Sequence, residues 1–292
     1  MKAGRTPHEI STAFISACLT EVRALKPGNV HIYASGHGMQ VADFEMSARV
    51  AAPHIANPNL KTGERILRAV EATFAAVHCN TNLGILLLCA PLAVAAQLGS
   101  GGTLLSRLQG VLDALDALDA AHVFKAIATA NPGGLGRNSE SDVNAPPPPN
   151  VTLLDAMRMA GGRDLIANEY VTGFERVFAL HTHEYSPRLA QGWSVEDAIA
   201  RVYLFELART PDTHIARKFG LAKAEAVRSR AAAFESAYFS SPDTRASTPS
   251  AQAALLEFDT ELKAEGLNPG SLADVMAAIL FVSELELSAT TP

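Results

Sequence analysis

Cysteine is scarce in this 292-residue sequence: Cys18, Cys79 and Cys89 are the only three, and each lies in an apolar helical context. An odd, sparse set excludes a disulfide framework and fits a reducing cytosol, so a cytoplasmic protein with three small buried thiols is expected. Positive charge is also short. Lys and Arg number 24 against 30 Asp and Glu, for a net charge of −6 without any block of like sign. Nothing resembles the basic stripe that nucleic acid requires, so no nucleic-acid partner is expected. The stretch Met1 to Phe14 lacks the apolar segment of a secretory signal. The most apolar run, Leu83 to Gly99, falls short of the roughly 20 residues of a membrane span and contains Pro91. A buried core helix is expected there, and no membrane partner. Sustained alternation of β-branched residues is missing, which excludes a sheet.

What is present is helical periodicity. At 48% hydrophobic and 18% charged, the chain can bury a sizeable core. Ile10, Phe14, Ala17, Cys18 and Val22 share one helical face, with Pro7 suited to the first turn. A second helix is predicted from about Asp43, a cap candidate, to Pro53. A third starts near Thr62 and places Ile66, Leu67, Val70, Phe74 and Val77 on one apolar stripe. Leucine and alanine then recur against Asp113, Asp116 and Asp119, which read as a solvated helix face. The periodicity fails between 131 and 151, where glycine, serine, asparagine and Pro146 to Pro149 predict a loop. Helical pattern returns from Leu153 to about His183, Val195 to Arg209 and Leu221 to Ala237, and two more helices run to Glu286. The expected fold is all-α, a single-domain multi-helix bundle over 1–292 with functional interhelical loops.

Those loops hold more chemistry than a connection needs. The segment Leu25 to Gln40 packs Lys26, Asn29, His31 and His37 among Pro27, Gly28, Gly36 and Gly38. His78 to Gly84 reads HCNTNLG; Asn131 to Asp142 begins NPGGLGR; Asn268 to Asp274 reads NPGSLAD; Arg209 to Lys218 reads RTPDTHIARK. Glycine lets backbone N–H groups approach an anion, and a following helix N-terminus favours negative charge. The two Asn-Pro-Gly segments are therefore candidate phosphate cradles, although neither is followed by the Lys-Ser/Thr of a P-loop. His181 to Glu184 (HTHE) reads as a helix end rather than a metal site, since alternate residues on a helix point apart. His54, His78 and His122 are expected to be partly buried. Arg163 and Asp164 could pair at the surface or face a pocket. The apolar stretch LLDAMRMAGG (153–162) could pair subunits, so a homodimer is possible.

In order along the chain, KPGNV, GHGM, DF..S, NTNLGILLL, DTHI.RK and NPG..AD resemble the motifs of triphosphoribosyl-dephospho-CoA synthases over about residues 9 to 282. The NTNLG form is similar to a divergent branch found in archaea and methylotrophic bacteria. The family joins the triphosphoribosyl part of ATP to the 2′-hydroxyl of 3′-dephospho-CoA and releases adenine. The resemblance thus implies a helical transferase that binds ATP, Mg²⁺ and small phosphorylated substrates. It implies catalytic roles for Asp274, Asp43 and His37, with Asp274 and Asp142 as metal carboxylates. Binding roles fall to Lys26, Gly28, Asn29, His31, Asn80, Thr81, Asn82 and Gly84. Further binding roles fall to Gly134, Arg137, Asp142, Asp212, His214, Asn268, Gly270 and Ser271. Two positions depart from the family pattern: Leu83 replaces a lysine and His31 an aspartate. These keep two alternatives open, a relative acting in biosynthesis of a one-carbon-carrier cofactor of methanopterin or methanofuran type, and a non-catalytic helical nucleotide-binding protein.

Overall fold

A computed structural model describes residues 4–99, 101–130 and 150–287. The first helices are α1 (Pro7–Arg23), α2 (Val41–Ile55), α3 (Thr62–Val77), α4 (Leu83–Gln97), α5 (Leu104–Asp113) and α6 (Ala117–Ala130). Next come α7 (Leu153–Ala160), α8 (Leu165–Thr172), α9 (Glu175–Leu180), a π-turn (His181–Tyr185) and α10 (Ser186–Ala190). The chain ends with α11 (Val195–Leu207), α12 (Thr213–Phe219), α13 (Leu221–Tyr238), α14 (Pro249–Ala264) and α15 (Gly270–Leu287). Among the described residues there is no strand; His31–Ala34 and Gly36–Met39 form isolated bridges. The fold is all-α.

Two helices organise the rest. Helices α4 and α15 are apolar on nearly every side, so each is stable only when surrounded. They pack on each other; α1 lies along α15, and α3 and α5 lie along α4. Phe14 of α1 meets Phe281 of α15 edge to face, with centroids 5.9 Å apart. The predicted face of α1 is buried throughout, and its start is a capping box of Thr6 and Glu9 with Pro7 in the first turn. No described helix is long and apolar enough to cross a membrane.

Pro91 sits inside α4 without ending it. A proline removes the N–H that would bond the carbonyl four residues earlier, that of Leu87. Tyr170 Oη, fully buried on α8, donates to that carbonyl at 2.6 Å. The side chain of one helix thus satisfies the acceptor that proline frees in another.

Three expectations need correction. The Asp113–Asp119 stretch is two helices, and Asp119 is buried: it accepts from Gly63 N (2.7 Å) in the first turn of α3 and from Asp116 N (3.1 Å). An orphan helix donor makes that burial tolerable. The segment 153–183 is not one helix, because Gly173 adopts a left-handed conformation (φ +68°) that closes α8. Arg209–Lys218 is not simply a connection; Asp212 caps the short helix α12 within it.

Replacing Tyr170 by Phe should leave the Leu87 carbonyl buried and unpaired, at a cost of about 1–3 kcal/mol. Chemical denaturation checks this: adding Pro91→Ala, which restores an N–H, should recover most of the loss. Equal stability of Tyr170→Phe and the parent would refute the pairing.

Candidate active site

The glycine-rich loops close around a cavity of about 830 Å³. That is within the range of sites for nucleotide-sized ligands. Helices α4, α8, α12 and α15 all begin at its wall, as their first-turn residues Gly84, Ile166, His214 and Ser271 line it. First turns carry the positive end of the helix dipole, although several of their N–H groups are already taken: Leu83 N by Asn80, Ala167 N by Asp164, and His214, Ile215 and Leu272 N by Asp212.

Of the residues singled out in the sequence, Asn29, His37, Asn80, Thr81, Asn82, Gly84, His214, Asn268, Gly270, Ser271 and Asp274 line this cavity. Their loops interlock. Asn29 Nδ2 donates to Asn268 Oδ1 at 2.8 Å, and His37 Nε2 lies 2.8 Å from Gly28 O, which fixes Nε2 as the protonated nitrogen. Gly28 has φ +84°, and a Cβ there would lie 2.8 Å from Pro269 Cδ, so only glycine lets the two loops meet. In the HCNTNLG loop, Asn80 Oδ1 accepts from Leu83 N (3.1 Å) and Thr81 Oγ1 donates to Ser47 Oγ (2.6 Å). Asn82 Nδ2 donates to Thr73 Oγ1 at 3.2 Å. A Cβ on Gly84 would fall 2.0 Å from Asp274 Oδ2, so α4 must present glycine to make room for that carboxylate.

Asp274 is deep in the fold yet keeps part of its surface on the cavity. Among the described residues its carboxylate has no hydrogen-bond or ion-pair partner. Burial, with Glu21 and Asp212 nearby, pushes its pKa well above the ordinary carboxylate range. Glu21, which the sequence reading passed over, is a fully buried carboxylate on the wall, where Asp164 and Asp274 are partly exposed. Its place on the buried stripe of α1, between Cys18 and Val22, was the available signal. The cationic lining comes from Arg163, Arg217 and Lys218. Arg217 also pairs with Asp164, whose carboxylate caps α8 through Ala167 N at 3.0 Å. Burial and the neighbouring Arg217 and Lys218 lower His214 to about 4, leaving it neutral near pH 7.

Other singled-out residues stand behind the wall. Lys26 is 0% exposed: its Nζ lies 3.1 Å from Glu21 Oε1 and donates to the carbonyls of Glu21 (2.5 Å) and Ala24 (3.2 Å). It neutralises Glu21 and caps α1 and does not reach the cavity. Asp212 is buried, with Oδ1 accepting from His214 N (2.8 Å) and Ile215 N (3.1 Å) and Oδ2 from Leu272 N (2.9 Å). Burial still raises it to about 6. Asp43 folds back on Gln40 N at 2.7 Å as a cap-box carboxylate, outside the lining. His31 is buried with Nε2 3.3 Å from Asp259 Oδ1, an electrostatic contact off the hydrogen-bond axis. Gly28 also lies outside the lining; its N donates to Asp259 Oδ1 at 2.8 Å. Gly134, Arg137 and Asp142 lie outside the described residues.

Several smaller expectations shift. Cys18 and Cys89 are buried, whereas Cys79 is half-buried on the cavity. His54 and His122 are partly buried, and His78, exposed at φ +57°, closes α3 beside the cavity. His181 is buried in the π-turn rather than at a surface helix end. Phe74 leaves the core for the cavity rim. Leu153 and Met157 of the stretch considered for subunit pairing are buried, and Met157 and Met159 line the cavity.

Among the described residues, no cluster of three or more His, Cys, Asp or Glu side chains could hold a metal unaided. Mg²⁺ does not need one, because it commonly takes one or two carboxylates and completes its shell with water and substrate phosphate. The unpartnered Asp274 fits that demand.

Helix starts, cations and carboxylates thus line one cavity in an all-helical fold, a wall suited to the charge of a phosphorylated small molecule. The chain belongs to the CitG family, ATP:dephospho-CoA triphosphoribosyl transferase, whose sequence model matches residues 7–291. It is a transferase, and the resemblance carried by the loop motifs holds. The fold is similar to a crystal structure from Archaeoglobus fulgidus assigned as a triphosphoribosyl-dephospho-CoA synthase. The TM-score is 0.61 at 25% identity, over 81% of this chain and 96% of that one. No curated protein matches the chain in sequence.

Two outcomes test this geometry. Lys26→Met should strip Glu21 of its partner and destabilise the fold by about 3–5 kcal/mol, with a smaller loss at acid pH where Glu21 is protonated. Denaturant titrations at two pH values would measure both. Asp274 binds a proton in the folded chain at pH values where the unfolded chain has released it. Its contribution to stability is therefore lost as pH rises above the ordinary carboxylate range toward its raised value. In chelator-treated protein, Asp274→Asn should flatten the fall of Tm with pH; parallel Tm profiles would contradict the assignment.

Proposed function

We propose that this chain transfers the triphosphoribosyl group of ATP to the 2′-hydroxyl of 3′-dephospho-CoA and releases adenine. The observation that carries this is the convergence of four helix starts and three cationic side chains on a cavity that also holds the carboxylates of Glu21 and Asp274. Arg163, Arg217, Lys218 and the first turns of α4 and α15 bind and orient the triphosphate. In the reaction the acceptor oxygen bonds to C1′ of the ATP ribose while the C1′–N bond to adenine breaks. Positive charge develops on the sugar, and a neighbouring carboxylate stabilises it. Glu21, held in place by Lys26, accepts the proton of the 2′-hydroxyl, and an equivalent proton reaches the departing adenine through solvent, so no net proton is gained or lost. Asn80 and Asn82 present amides from the HCNTNLG loop to the nucleotide, and His37 offers Nδ1 as an acceptor. Asp274 would hold Mg²⁺, which when bound neutralises phosphate charge. The two departures from the family pattern support no other chemistry. Charge missing at Leu83 is supplied by Arg163, Arg217 and Lys218, and His31 stands behind the wall. Unpaired Cys18 and Cys89 suit a reducing cytosol where ATP is plentiful.

Chromatographic detection of adenine from ATP, dephospho-CoA and Mg²⁺ is the direct test. Asp274→Asn should lower kcat by about 10²-fold or more while the protein stays folded. Arg217→Met should chiefly raise the KM for ATP. Folded parent protein that never releases adenine would overturn the proposal.

A further inference from the structure

One part of the cavity wall does not suit phosphate. Phe74 on α3, Ile127 on α6 and Met157 and Met159 on α7 all line the cavity, on helices that pack in the order α3, α6, α7, and offer no strong hydrogen-bonding group. Phe74 is 39% and Met159 50% exposed, so large apolar side chains are left wet at the rim. Ala156 and Ala160, also on α7, line the cavity too and add only methyl groups. Thioether side chains adapt to flexible apolar ligands better than branched ones do.

In ATP only the flat base could use such a surface. Its phosphates match the cations and helix starts, and its base has ring nitrogens and an amino group that require polar partners, which Asn80 and Asn82 can supply. The acceptor is different. It is an adenosine diphosphate extended by a long, uncharged arm whose gem-dimethyl, methylene and thioethyl groups are apolar and alternate with a hydroxyl and two amides. We propose that Phe74, Ile127, Met157 and Met159 form the subsite for that pantetheine arm and so determine acceptor specificity. The inference rests on 3′-dephospho-CoA being the acceptor.

Calorimetric titration of the full chain with dephospho-CoA, ADP and ATP tests it, ADP being the acceptor nucleotide without the arm. Met159→Asp, at a rim position that tolerates polarity, should weaken dephospho-CoA roughly tenfold, the scale of a lost apolar contact in a pocket. ADP and ATP should stay within about twofold for the same variant. Phe74→Ala should repeat the pattern, guarding against a local effect of the introduced charge. Equal weakening of ATP or ADP would place a base on the strip and overturn the subsite, as would unchanged dephospho-CoA binding in both variants. Adenine release by the parent separates the two readings: present without discrimination, it removes the subsite alone; absent, it removes both.

Discussion

Three backbone N–H groups, from His214, Ile215 and Leu272, converge on the carboxylate of Asp212, and the placement of the rest of the site depends on that convergence. Helix starts cannot be buried with their donors unpaired. By capping α12 and reaching into the first turn of α15, one side chain ties together two helices far apart in sequence. His214 and Arg217 ride on the first, Ser271 and Asp274 on the second. Thr213 Oγ1 adds a second tie, donating to Ser271 Oγ at 2.9 Å. A residue that resembles part of a binding motif therefore acts by setting the distance between other binding residues.

The same division runs through the site. The wall is made of residues that can meet a ligand, and behind it lies a layer that holds the wall in register. Lys26 belongs to that layer, as do His31 and Asp259. Asp259 receives Gly28 N and Lys263 Nζ (2.9 Å), and Lys263 in turn holds Ala34 O at 3.0 Å. Burial alone would raise Asp259, but His31 and Lys263 hold it below the ordinary carboxylate range. Sequence motifs mix both layers, because each is needed for the geometry.

That mixing explains how far the sequence could be read. The apolar stripe of α1 and the limits of α3 followed from periodicity, since burial of one helix face leaves a regular trace. Asn80 and Asp274 stood out because asparagine, histidine and aspartate concentrate in several separate glycine-containing segments, more than connections need. Lys26 and Asp43 stood out for the same reason and face elsewhere, since residue type does not encode the direction of a side chain. Glu21 was hidden by its apolar neighbours and Phe74 by its fit to a core stripe. Tyr170 could not have been foreseen as the partner of Leu87, because that bond depends on where α8 lies across α4.

The close approach of Gly84 to Asp274 couples two positions nearly two hundred residues apart. No side chain can enter position 84 while the carboxylate keeps its place, so a larger residue there demands a change at 274. The two sites behave as one unit of sequence choice. A variant library that randomises position 84 alone samples mostly misfits, and paired changes open the combinations in which the fold can carry different chemistry at that spot.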